Sequence, residues 1–223
     1  MLSKIVFALA AFQATLTSAT LREFLHTVSG SVQEEPLGKL VFSNRCPYDL
    51  WVDSVDQGWE SGLFSVPARS QHVEDLRKPD IHKCPTDDCG TSFKVSKTPQ
   101  ITRGSHTQFE YAIKHGMMYY DISFVDCAQG SSADTCPGHD KGLSITSDDT
   151  RCTIPLCQPG QYCPTEAYYV PQPLKTLGIP EPVKGCGDAG TGMTIYMTAC
   201  SSEPALSARS VAGRAIMLDG NMA

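Results

Sequence analysis

Hydrophobic and polar residues alternate along this chain in two different rhythms, and the change falls near residue 39. Ahead of it, residues 5–12 form a short unbroken apolar run. Leu21, Phe24, Leu25 and Val28 then recur at i, i+3, i+4 and i+7 until Gly30. That spacing is the stripe of a short amphipathic helix, which glycine would end. From Lys39 onward the apolar positions come instead in short runs bounded by Pro, Gly, Ser and Asp. The pattern predicts strands at 39–43, 50–55, 71–75, 92–95, 108–114, 118–125, 143–146 and 193–198. No long helical periodicity lies between them, and this distribution predicts an all-β sandwich or barrel.

The stretch from 127 to 186 breaks the rhythm. It is crowded with Pro, Gly, Ser and Asp and has few apolar runs, so it can bury little surface and needs cross-links to stay ordered. Cysteines are there to supply them: ten in all, at 46, 84, 89, 127, 136, 152, 157, 163, 186 and 200. Cys152, Cys157 and Cys163 with Cys186 read as the staples of a small disulfide-rich loop lobe. A zinc site is the competing reading, but no Cys-x2-Cys pair exists and His139 is the one histidine close by in sequence. No metal and no cofactor are expected.

The first residues assign the compartment. Lys4 is a positive n-region, 5–12 an apolar h-region, and Thr17-Ser18-Ala19 a small-residue cleavage site, which together predict a signal peptide over 1–19. The apolar run is shorter than the roughly 20 residues of a membrane span. Secretion through an oxidising route agrees with ten cysteines. Residues 20–38 are then an N-terminal extension or pro-segment, 39–200 the folded domain, and 201–223 a flexible tail or a propeptide cut near Arg209 or Arg214. Nothing at that end resembles a lipid-anchor signal. Lys4 is the only charged residue in 1–19, so the formal charge of −6 becomes −7 on cleavage. An acidic chain argues against nucleic acid or an anionic membrane surface as partner. Asn44 and Asn221 are the only asparagines and neither opens an Asn-x-Ser/Thr sequon. Thr20 would be the first mature residue, so a copper site on an N-terminal histidine has no support. A monomer is expected.

Three segments carry a family resemblance. Asn44-Arg45-Cys46-Pro47-Tyr48 with Trp51-Val52 comes first; then Thr107-Gln108-Phe109-Glu110-Tyr111, Gly116 and Tyr119-Tyr120-Asp121-Ile122-Ser123-Phe124-Val125-Asp126; then Tyr196-Met197-Thr198-Ala199-Cys200. These resemble the opening strand, the central Glu-aromatic and Tyr-Asp-x-Ser-x-Val-Asp segment, and the last strand of the thaumatin-like proteins, over about 40–200. Ten cysteines in place of the sixteen usual in plant members make the chain similar to the reduced fungal secreted thaumatin-like proteins, some described as antigens. The resemblance implies a thaumatin-like β-sandwich, a Cys46–Cys200 bridge, and an acidic cleft whose members here would be Glu110, Asp121 and Asp126. The family's arginine and further aspartate have only Arg103 and Asp140 as candidates.

The residues themselves allow two arrangements of that cluster. If His115-Gly116 is a two-residue hairpin turn, Ala112 faces Tyr119, Tyr111 faces Tyr120 and Glu110 faces Asp121. Side-chain alternation then puts Phe109, Tyr111, Ile113, Met118, Tyr120 and Ile122 on a core face, and Glu110, Asp121, Ala112, Tyr119 and Ser123 on the other. If the turn is longer, the register shifts and the two acids are ordinary solvated residues. Asp126, five past Asp121, needs a bulge or a strand end near Val125 to reach the same side.

Glu110, Asp121 and Asp126, flanked by Tyr119, suit two kinds of work. They can hydrogen-bond sugar hydroxyls, or act as acid with nucleophile or base on a glycosidic bond. Trp51 and Trp59 are candidate sugar platforms as well as packing residues. The expected function is binding of cell-wall β-1,3-glucan or a related polysaccharide without turnover. A weak endo-β-1,3-glucanase and a secreted antigen or effector that meets a host or extracellular protein are the alternatives.

Overall fold

In a computed structural model the protein is described over residues 36–80, 82–84, 89–102, 104–171 and 174–206. The expected signal peptide, the helical stripe at 21–28, Arg103 and the tail beyond 206 lie outside these residues. The strands are β1 Lys39–Asn44, β2 Leu50–Val55, β3 Phe64–Val66, β4 Ser70–Asp75, β5 Thr91–Ser96, β6 His106–Lys114 and β7 Met117–Ser123. After them come β8 Leu143–Ser147, the two-residue ladders β9 Leu156–Cys157, β10 Ala167–Tyr168 and β11 Lys184–Gly185, and β12 Ile195–Ala199. Single 3-10 turns occupy His139–Lys141 and Leu174–Leu177.

Two sheets pack face to face. One has the order β4-β1-β12-β8-β9; the other runs β10-β7-β6-β5-β2-β3, with β11 also on β7. Strict alternation decides what lies between them. Leu40 and Phe42 of β1, Phe93 and Val95 of β5, Phe109 and Tyr111 of β6, and Tyr120 and Ile122 of β7 are all buried. Phe42 meets Phe93 at 5.0 Å and Phe109 at 6.0 Å between ring centroids, so aromatic contacts join the sheets at mid-core. The eight strands predicted from sequence are present, with ends shifted by a residue or two. β3 and the three two-residue ladders had no readable pattern.

Both chain ends of the domain are fixed at one place. β1 and β12 run parallel and side by side, Asn44 opposite Ala199, and Cys46 is disulfide-bonded to Cys200 just beyond. In a chain-entropy picture, closing a loop with a separation of 154 residues stabilises the fold by about 5 kcal/mol. The fully buried Asn44 sets the turn into this bridge. Its Nδ2 donates to the carbonyls of Tyr48, Val66 and Pro67 at 3.0, 2.9 and 3.1 Å, and its Oδ1 accepts from the Cys46 N–H at 3.0 Å. At the other end of β1, Gly38 passes so close to the 191–193 loop that a Cβ would sit 1.8 Å from the Met193 carbonyl oxygen.

The loop-rich lobe is tied internally by Cys152–Cys186, Cys157–Cys163 and Cys127–Cys136, and Cys84–Cys89 closes a small loop elsewhere. It is also sewn to the sheet. β10 and β11 pair with β7, the Tyr120 hydroxyl donates to the Thr153 carbonyl at 2.7 Å, and Cys186 N donates to the Met118 carbonyl at 3.1 Å. The lobe thereby forms one bank of whatever lies over the outer face of β6 and β7.

Candidate functional site

The geometry starts from the turn. β6 and β7 are joined by His115 and Gly116 alone, with φ of 52° and 73°. Two consecutive left-handed residues make the tight hairpin turn whose twist suits flanking strands. The register follows: Ala112 opposite Tyr119, Tyr111 opposite Tyr120, Glu110 opposite Asp121. β5 continues the ladder, with Ser92 opposite Glu110 and Lys94 opposite Gln108. On the face turned away from the core, Ser92, Lys94, Gln108, Glu110, Ala112, Tyr119 and Asp121 therefore lie side by side.

These residues are the floor of an open cleft of about 720 Å³. One bank is the chain leaving β2, at Val55, Asp56 and Gln57; Val183 of the lobe stands on the other. Gly90 lets the chain enter β5 close against the floor, because a Cβ there would sit 2.5 Å from the Tyr111 carbonyl oxygen.

Facing carboxylates need something to hold them, and the surroundings supply it. Asp121 and Glu110 face each other across the ladder, within reach of a hydrogen bond that would need one proton on the pair. Burial, then the Glu110 charge and that hydrogen bond, hold the Asp121 carboxyl well above its usual range. Burial and the Asp126 charge raise Glu110 as well, while the hydrogen bond from Asp121 and the positive Lys94 act the other way. Oδ1 of Asp121 is sealed from solvent and meets no hydrogen-bond partner, although the residue as a whole is only partly covered. An orphaned oxygen of that kind is far less costly on a neutral acid than on a carboxylate.

Asp126 stands apart from this pair. β7 ends at Ser123, earlier than the strand predicted to 125, and the chain turns through hydrogen bonds from Cys127 N and Ala128 N to the Phe124 carbonyl. The turn brings Asp126 Oδ2 to 3.1 Å from Gln108 Nε2 and 3.2 Å from His106 Nε2. It is thus behind the floor: Gln108 and Glu110 line the cleft and Asp126 does not. Asp140 lies beside Tyr48, whose hydroxyl is pushed up to about 12 by burial first and by that carboxylate second. Trp51 is half-buried and Trp59 exposed with the Arg77 guanidinium 3.5 Å from its ring centroid; neither lines the cleft.

Sequence reasoning missed Ser92, Lys94 and Gln108. Ser92 Oγ donates to Gln108 Oε1 at 2.8 Å, so the amide is oriented with its nitrogen towards Asp126. Lys94 could have been found only from the β5–β6 register, which the irregular connection at 97–105 hides. Tyr168, beyond Asp121 on β10, donates to Glu181 Oε2 at 2.7 Å. Its hydroxyl is raised by burial first and then by that bond. Among the described residues no cluster of His, Cys, Asp and Glu is disposed to hold a metal ion.

A family model described as Blastomyces yeast-phase-specific protein (Bys1) matches residues 28–200. The secreted thaumatin-like protein calA of Emericella nidulans is 27% identical over 177 residues, which cover 79% of this chain and 90% of that protein. Among solved structures, the protein elicitor MoHrip2 from Magnaporthe oryzae superposes with a TM-score of 0.53 at 21% identity, over 73% of this chain and 98% of its own. The thaumatin-like xylanase inhibitor TLXI gives a TM-score of 0.41 at 10% identity, over 71% and 97%.

Proposed function

The chain belongs to the Blastomyces yeast-phase-specific protein (Bys1) family and has a thaumatin-like fold, and from this we propose that it is a secreted protein that binds a neutral polysaccharide, of the β-1,3-glucan class, in the cleft over β6 and β7 without cleaving it. Secretion is favoured by the five disulfides, by the predicted signal peptide and by the name of the calA relative. The glucan class comes from the resemblance of Glu110 and Asp121 to the acidic cleft of thaumatin-like proteins.

One observation favours binding over hydrolysis: the two acids stand directly opposite each other on paired strands of the cleft floor, within reach of a hydrogen bond. A retaining glycosidase holds its carboxylates about 5 to 5.5 Å apart with the sugar between them, and an inverting one about 6.5 to 9.5 Å apart to admit a water. Carboxyls within hydrogen-bonding reach of each other leave space for neither. Asp126, the other acid near Glu110, is engaged by Gln108 and His106. What remains suits recognition: a charged acceptor, a hydroxyl, an ammonium and the half-buried Tyr119 along one open groove.

The test is to incubate the secreted, oxidised protein with insoluble β-1,3-glucan and measure both depletion from solution and release of reducing ends. Depletion without release, weakened in Glu110→Gln, is expected. Release that disappears in Glu110→Gln would replace binding by hydrolysis. Neither depletion nor release would remove the carbohydrate reading and leave a protein partner.

A further inference from the structure

Resting on that reading of the cleft, we infer that Glu110 and Asp121 have different jobs: Asp121 keeps a proton and positions Glu110, and Glu110 alone is the charged acceptor presented to a neutral, hydroxyl-bearing ligand. Both residues look equivalent in sequence, as members of one acidic pair. Their surroundings are not equivalent. Asp121 has one oxygen sealed and without a partner and stands directly opposite Glu110. Glu110 lines the open cleft with Ser92 opposite it on β5, and the positive Lys94 acts on it.

The charge balance follows from this geometry. Directly opposed side chains on paired strands have Cβ atoms about 4.5 to 5.5 Å apart, so two full charges there repel strongly. The charged and titratable groups around the pair are Lys94 from β5, Lys114 at the end of β6, Asp56 beyond β2, Asp126 behind Gln108, Tyr168 from β10 with its partner Glu181, and Tyr119 within β7. Lys94 acts on Glu110 as a cation, and Asp126 adds a further negative charge. With one proton on the pair, Lys94 offsets the single charge of Glu110. Without it, the two facing acids carry two like charges next to an orphaned oxygen. The cleft is therefore close to neutral, although its sequence is acidic, and it suits a sugar with hydroxyl donors better than an amino sugar bearing ammonium groups.

Asparagine separates the two jobs. Asp121→Asn preserves shape, places a carbonyl oxygen where Oδ1 lies and offers an N–H to Glu110, as the protonated acid does. It should bind a soluble β-1,3-glucan oligosaccharide more tightly than Glu110→Gln does, and Glu110→Gln should lose about tenfold or more relative to the wild type, as for a hydrogen bond to a charged acceptor. Wild-type affinity should fall as pH rises and the shared proton is lost, and Asp121→Asn should show no such fall. Carboxyl 13C NMR of the unliganded protein reads the proton without any ligand, and Asp121 should remain protonated well above the usual aspartate range. An Asp121 that titrates as an ordinary aspartate, or an Asp121→Asn variant as impaired as Glu110→Gln, would overturn the inference. If the wild type bound no oligosaccharide, the proposed function would fall with this division of labour, and the NMR titration would still decide the proton.

Discussion

Glu110 of β6 lies directly opposite Asp121 of β7, and a turn of only two residues, His115 and Gly116, fixes that opposition. β6 is paired on its far side with β5, and β7 with β10 and β11, so the pair has no easy way to separate. The stability of the fold is consequently tied to the proton between them.

The sign of that linkage can be worked out. The Asp121 carboxyl is held above its ordinary value of 3.8, by burial first and by Glu110 second. A raised folded-state pKa means that the folded protein keeps a proton that the unfolded chain has released. This contribution is fully present below the unfolded value and is lost as pH rises through the folded one. Urea titrations from mildly acidic to mildly alkaline pH should therefore show wild-type stability declining relative to Asp121→Asn. At alkaline pH the variant should be the more stable by on the order of 1 kcal/mol, the scale of a facing like-charge pair.

Gly90 brings the chain against the cleft floor where a Cβ would lie 2.5 Å from the Tyr111 carbonyl oxygen. The obstacle is backbone, which cannot swing away. Gly90→Ala should destabilise the fold by about 1 to 3 kcal/mol and weaken glucan binding, measured by urea titration and by the depletion assay.

Asn44 is fully buried and donates to three carbonyls while accepting from Cys46. Asn44→Ala leaves those carbonyls facing a cavity and should cost about 2 to 4 kcal/mol, read as a lower midpoint in denaturant. Glucan affinity of the folded fraction should be unchanged, because Asn44 is in the other sheet.

The Cys152–Cys186 bridge closes a separation of 34 residues at the root of β11, just after Val183 on the cleft bank. Replacing both cysteines by serine should reduce stability by about 2 to 4 kcal/mol and also weaken binding. Replacing Cys157 and Cys163, whose separation is 6, should cost less in stability. Parallel melts and binding isotherms of the two double variants check this ordering.

The strands were readable wherever alternation ran for five residues or more, as in Phe109-Glu110-Tyr111 against Tyr120-Asp121-Ile122. The facing acid pair was one of two arrangements the sequence allowed, and the two-residue turn at His115-Gly116 selects it. What stayed hidden depended on long-range pairing. Lys94 reaches the cleft only because β5 pairs with β6 across an irregular connection. Tyr168 and Lys184 belong to two-residue ladders held by β7, too short to leave any period in the sequence. Asp126 could be placed near the pair but not behind Gln108, because the strand end at Ser123 is set by Tyr168, whose carbonyl accepts from Phe124 N at 2.8 Å.

The most direct measurement is an amide and side-chain NMR titration of the secreted protein with a soluble β-1,3-glucan oligosaccharide. Saturable shifts should concentrate at Ser92, Lys94, Gln108, Glu110 and Tyr119, with the oligosaccharide recovered intact. Absence of shifts there, shifts centred elsewhere on the surface, or a shortened oligosaccharide would contradict a non-catalytic glucan cleft over β6 and β7.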